Sequence, residues 1–236
     1  MCITETITQE LEFLSTEEKK RVLPGFFKTG PGQYGEGDRF IGTAVPDVRR
    51  VAKTHNDAST EELEQLLGSP WHEVRLAALF IMVAKFNKGT EETRQKLFNF
   101  YLAHTSRINN WDLVDQSVVT IVGGYLADKP RELLYRMARS GHLWETRMAI
   151  VATLAFIRLG DLDDTYKLCD ILMDHKHDLI QKACGWMLRE AGKRDPKRLY
   201  DYVDKNRGIM PRTMLRYAIE RFSPNERKRL MERPKV

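Results

Sequence analysis

A chain of 236 residues, 42% hydrophobic and 30% charged, is long enough for one elongated domain or two small ones and too apolar for a disordered polymer. It has no apolar run of the ~18 residues a membrane span needs, and its first thirteen residues hold three glutamates and no base, so neither a membrane partner nor a secretory signal is expected and the cytoplasm is the expected compartment. The net charge of +5 is unevenly spread: residues 181–236 carry 16 Lys and Arg against 7 Asp and Glu, while the first 180 carry 22 against 26. A basic C-terminal stretch suits a polyanion partner or, equally, a solvated surface.

In chain order, helical spacing of apolar residues dominates. A helix is expected near residues 15–28 and another from near Pro46. The ten residues TGPGQYGEGD, Thr29 to Asp38, lie between them as a loop with four glycines, read as a plain connector. Further helix starts are expected at Ser59-Thr60-Glu61-Glu62, Ser69-Pro70 and Thr90-Glu91-Glu92, with joints at Asn109-Asn110, Lys129-Pro130, Asp195-Pro196 and Met210-Pro211. This makes about a dozen helices joined by short turns. The three cysteines, Cys2, Cys169 and Cys184, form no disulfide framework, and the six histidines make no HxH or HxxxH pair, so no metal or other cofactor is expected.

Four segments share a charged residue inside an apolar helix: SPWHEVRLAAL, NNWDLVDQSVV, GHLWETRMAIV and HDLIQKACGWM. The charges are Arg75, Asp115, Arg147 and Lys182, spaced by 40, 32 and 35 residues. Such a period, with two helices per repeat, predicts an all-α solenoid of HEAT-like helix pairs, taken as one domain over 1–236.

On a helix drawn from Asn110 to Leu126, Trp111, Val114, Val118, Ile121, Val122 and Tyr125 share one arc with Asp115 among them, while Asp112 and Gln116 point elsewhere. A carboxylate on an apolar face is either paired, with Arg147 as the candidate partner, or functional. The segment from Leu143 to Arg158 repeats the pattern around Arg147, a guanidinium able to pair with Asp115 or to grip a phosphate. From Asp178 to Lys193, Trp186 lies off the aliphatic stripe beside Lys182, Arg189 and Lys193, where it either stacks on a nucleic acid or packs against the next repeat. Gly185 next to it admits close approach of another backbone. The bases Arg49, Arg50, Lys53, Arg147, Lys182, Arg189, Lys193 and Arg212 come from many helices, and no zinc finger, basic zipper or RRM motif is present. Any nucleic-acid binding is expected to be led by shape and phosphate contacts, with weak sequence readout.

Several of these segments resemble the AlkD family of DNA alkylation-repair glycosylases. NNWDLVDQSVVTIVGGYL is similar to its W-x-x-V-D segment, LWETRMAI to its R-x-A segment and QKACGWMLREAGKRDP to its GW-x-LRE segment. YGEGDRFIGTAVPDVRR is similar to its entry sequence, and MPRTMLRYAIERF extends the likeness. The resemblance implies a C-shaped stack of helix pairs around duplex DNA and hydrolytic release of cationic N3- and N7-alkylated purines. Asp115 then falls on the active-site aspartate, Trp111 and Trp186 on its flanking tryptophans, and Arg147 on the cleft arginine. Phe26 stands where well-known members have a tyrosine. A monomer acting on DNA with alkylated bases is expected. The competing expectation is a non-catalytic scaffold for distorted DNA or a protein, with Asp115 and Arg147 paired for structure.

Overall fold

Local chemistry at the helix ends explains where most elements begin. The computed structural model describes residues 2–232, and among these every regular element is a helix apart from one isolated bridge between Arg39 and Trp71. The backbone packs as two units, one up to Ile121 and one from Val122.

The first unit holds α1 (Ile3–Phe13), α2 (Glu17–Phe26), α3 (Val45–Thr54), α4 (Thr60–Leu67), α5 (His72–Lys88), α6 (Glu91–Ala103) and α7 (Trp111–Val118). Ser59 starts α4 with a reciprocal capping box: its hydroxyl accepts the Glu62 N–H at 3.2 Å, and the Glu62 carboxylate accepts the Ser59 N–H at 2.7 Å. Thr90 caps α6 and Asn110 caps α7 in the same spirit. After Ser69-Pro70 the helix starts two residues on, at His72. The core of this unit is α5, against which α3, α4, α6 and α7 pack. Leu76, Leu79, Ile81 and Met82 of α5 are buried, and each such side chain stabilises the fold by about 1.5–3 kcal/mol.

The second unit holds α8 (Glu132–Ala138), α9 (Leu143–Ala152), α10 (Leu154–Arg158), α11 (Asp163–Ile171), α12 (Asp178–Gly192), α13 (Pro196–Asn206), α14 (Arg212–Ala218) and α15 (Pro224–Met231). Here α12 is the central element, packed by α9, α10, α11, α13 and α14. Gly185 is what lets α14 close on it: a Cβ there would sit 2.5 Å from the Met214 carbonyl oxygen. The expected all-α class of stacked helix pairs is the one observed, with fifteen α-helices among the described residues rather than about a dozen.

Two long expected helices are broken. The helix drawn from Asn110 to Leu126 is α-helical only to Val118 and then turns through a wider π segment, Val119–Gly123. The one drawn from Leu143 to Arg158 divides at Thr153, whose hydroxyl bonds back to the Ile150 carbonyl at 2.7 Å.

Candidate active site

The start of α7 is built by long-range polar contacts rather than by its own sequence. Asp38, the last residue of the glycine-rich loop, is buried and accepts from four side chains. Arg75 Nη2 donates at 2.6 Å, His72 Nδ1 lies at 3.1 Å, and the Asn109 and Asn110 amides donate at 3.2 and 3.1 Å. On its other side, His72 Nε2 meets Asp112 at 2.8 Å, and the second Asp112 oxygen accepts the Leu113 N–H at 2.8 Å. Asp112 therefore does not face solvent; it is 5% exposed and holds the first turn of α7 to α5. Arg75, expected as part of a repeating charge slot, serves this network.

The electrostatics follow from burial and pairing. Burial opposes the charged form of His72, but the two carboxylates outweigh it and raise the imidazole to about 9. Each ring nitrogen faces a carboxylate, so both carry a proton. Asp38 is likewise opposed by burial, but His72 and Arg75 outweigh it and hold its carboxyl at about 2.

The loop is thus a structural part and not the plain connector expected. At Gly35 a Cβ would meet the Phe27 carbonyl oxygen at 2.3 Å, so only glycine fits where the chain folds back. Just beyond the loop, the buried Glu73 carboxylate accepts the N–H groups of Ile41, Gly42 and Thr43 at 2.9, 2.8 and 3.2 Å. That carboxylate closes backbone donors which would otherwise be orphaned.

Aromatic rings complete this corner. Trp111 stacks on Phe27 at 5.4 Å, Phe27 stacks on Phe40 at 4.9 Å, and Phe40 stacks on His72 at 4.6 Å. Phe26, 57% exposed, meets the edge of Trp111 at 5.8 Å. Trp111 is half-buried, and one turn later Asp115 is also half-buried. Behind them, burial pushes the Tyr101 hydroxyl well above its ordinary range, and the Asp115 charge adds to the effect. That hydroxyl lies 2.9 Å from Ser117.

In the second unit, Arg147 is 5% exposed and its Nη1 donates to the Leu179 carbonyl at 2.7 Å. Trp186 is half-buried in a cavity of about 400 Å³ that it shares with Leu154, Ile157, Arg158, Glu190, Lys193 and Arg194. Arg158 and Arg194 were not among the expected contacts. Of the remaining bases, Lys182 pairs with Asp178 at 2.7 Å, Arg189 with Glu220, and Lys193 with Glu190 at 2.5 Å. Arg49, Arg50 and Lys53 are exposed on α3, Arg50 pairing with Asp47 at 3.0 Å, and Arg212 is half-buried at the start of α14. Among the described residues no His, Cys, Asp and Glu side chains group to hold a metal ion, and no helix is long and apolar enough to cross a membrane.

These features define an all-α helix-pair protein with a half-exposed carboxylate beside a tryptophan and many surface bases. The family model described as DNA alkylation repair enzyme matches residues 7–222, and the chain belongs to that family, whose general function is DNA alkylation repair. Among solved structures the chain is similar to a predicted DNA alkylation repair enzyme from Enterococcus faecalis, at 16% identity and a TM-score of 0.66, over 91% of this chain and 99% of that one. At that identity the likeness concerns the fold. No curated protein matches the chain.

Proposed function

We propose that the chain is a monofunctional DNA glycosylase that hydrolyses the N-glycosidic bond of cationic N3- and N7-alkylated purines in duplex DNA. The observation that carries this reading is the placement of Asp115. It is a half-exposed carboxylate one helical turn after the half-exposed Trp111, on a helix whose first turn is anchored through Asp112, His72 and Asp38.

An alkylated purine that is already positive leaves without protonation, so no general acid is needed. The developing positive charge lies on the sugar. A fixed carboxylate stabilises that oxocarbenium character and orients the attacking water, as in glycoside hydrolysis. Trp111 offers a π-face to a cationic base or its sugar, held in orientation by the Phe27 ring. In the same reading Trp186 contacts the DNA, while Arg147, being buried, acts by orientation rather than by reaching a phosphate. Phe26 supplies an apolar edge where a tyrosine would supply a hydroxyl, which bears on lesion preference.

Release of N7-methylguanine from methylated duplex DNA, compared between wild type and Asp115→Asn, tests the proposal. Absence of enzymatic release above the spontaneous rate by the wild type overturns it.

A further inference from the structure

The first unit contains a cavity of about 330 Å³ between α3 and α5, lined by Arg49, Ala52, Lys53 and Asn56 on one side and by Phe80, Val83, Ala84, Asn87 and Lys88 on the other. Arg49, Ala52 and Lys53 share one face of α3, with Asn56 just past its end, and the second set recurs at three and four residues along one face of α5. The floor is apolar and the rim carries three cations, two amides and no carboxylate.

We propose that this cavity seats one sugar–phosphate unit of the DNA backbone, the sugar over Phe80, Val83 and Ala84 and the phosphate between Arg49, Lys53 and Lys88. The proposal deepens the glycosylase reading and rests on it for the identity of the polyanion.

Arg49 is the ordered member. Its guanidinium lies 4.0 Å over the Phe80 ring, and its Nη2 donates to Gln116 Oε1 at 2.9 Å. A guanidinium stacked and hydrogen-bonded on one edge is pre-organised to offer its other N–H groups to a phosphate. Gln116 follows Asp115 on α7, so the same arginine ties the phosphate seat to the helix that carries the proposed catalytic carboxylate. Neither Lys53 nor Lys88 has an ion pair or side-chain hydrogen bond among the described residues, unlike Lys96 on α6, which pairs with Glu92 at 2.7 Å.

The ordinary explanation for Lys53 and Lys88 is compensation of helix ends, since each stands in the last turn of its helix. Magnitudes separate the two accounts. Two helix C-termini contribute roughly −0.5 charge each. Three cations leave an excess of about +2 over that, enough for a phosphate monoanion. The volume also exceeds what a bare phosphate fills, and the apolar floor matches a deoxyribose.

The test is duplex affinity as a function of salt for wild type, for Lys53→Ala/Lys88→Ala and for Lys96→Ala. All three lysines are exposed, so the fold is retained, which melting curves verify. Loss of one neutralised phosphate makes the log–log slope about 0.9 shallower in the double variant. The Lys96 variant keeps the wild-type slope. An unchanged slope in the double variant, with base release by the wild type intact, overturns the phosphate seat and leaves the glycosylase reading standing. A wild type that binds no duplex overturns both.

Discussion

His72 and Asp112 meet at 2.8 Å across the junction of α5 and α7, both nearly excluded from water, 40 positions apart in the chain. The contact makes the start of α7 depend on the protonation of a single imidazole. His72 stands at about 9 against an ordinary 6.5, so the folded state holds a proton that the unfolded state gives up above 6.5. Its stabilising contribution is complete below about pH 6.5 and is lost as pH rises through about 9. Asp38, lowered from 3.8 to about 2, acts in the opposite direction: its contribution is complete above 3.8 and is lost as pH falls through about 2. Stability measured by urea unfolding is therefore expected to be level between about pH 4 and 6.5 and to fall above that, by a few kcal/mol at most. A midpoint that stays constant from pH 6 to pH 10 would show that folding does not raise the affinity of His72 for its proton.

Removing Asp38 should damage the fold more than removing a surface acid. Its carboxylate is the common acceptor of Arg75, His72, Asn109 and Asn110, and truncation leaves two cations in a buried site with one acid fewer. Breaking a buried pair in this way costs about 3–5 kcal/mol. Asp38→Ala is expected to lower the melting temperature strongly, whereas Asp201→Ala, at an exposed i,i+4 pair with Lys197, should change it little. Equal small effects would mean that the network is dispensable.

Gly185 tests the packing of the second unit. Glycine inside a helix is ordinarily improved by alanine, by about 0.8–1.0 kcal/mol. Here the added Cβ would stand 2.5 Å from both the Met214 carbonyl oxygen and the Tyr217 Cβ. Backbone cannot yield as a flexible side chain does, and overpacking of this kind costs about 1–3 kcal/mol. Gly185→Ala should thus lower the melting temperature despite its better propensity. A more stable variant would mean that α14 does not pack this closely on α12.

Local signals were legible in the sequence. Ser59, Thr90 and Asn110 announce the helices they cap because a cap involves only neighbouring residues. Gly185 was readable as a point of close approach because so few reasons exist for glycine inside a helix. The polar network was not legible. Asp112 sits in a first turn, where acids are usually solvated, and its partners His72 and Asp38 lie on other elements, at separations no periodicity encodes. The breaks after Val118 and at Thr153 carry no local signal for a related reason. Apolar spacing continues through both, and only packing and a hydroxyl bonded back to the chain reveal the change. Arg158 shares an arc with Arg147 in the sequence, but its place beside Trp186 depends on the packing of α10 on α12, and Arg194 stands past the end of α12, where no helical spacing applies.

Asp115→Asn is the sharpest test of the chemistry. The substitution preserves shape and hydrogen-bonding capacity and removes only the charge that would stabilise an oxocarbenium-like sugar. Such terms are worth on the order of 2.7–4 kcal/mol, or about a hundred- to a thousand-fold in rate. Spontaneous loss of N7-methylguanine sets a floor under the measured ratio, so single-turnover release should be compared after subtracting the rate without protein. Duplex affinity is expected to hold or rise, because an acid facing a polyanion contributes repulsion. Because Asp115 is half-exposed while Asp112 is buried, the matched control is Asp112→Asn, which should lower stability through His72. Wild-type release by a folded Asp115→Asn variant would remove Asp115 from the mechanism. Slow release with intact folding and binding would leave the carboxylate as the group that drives bond cleavage.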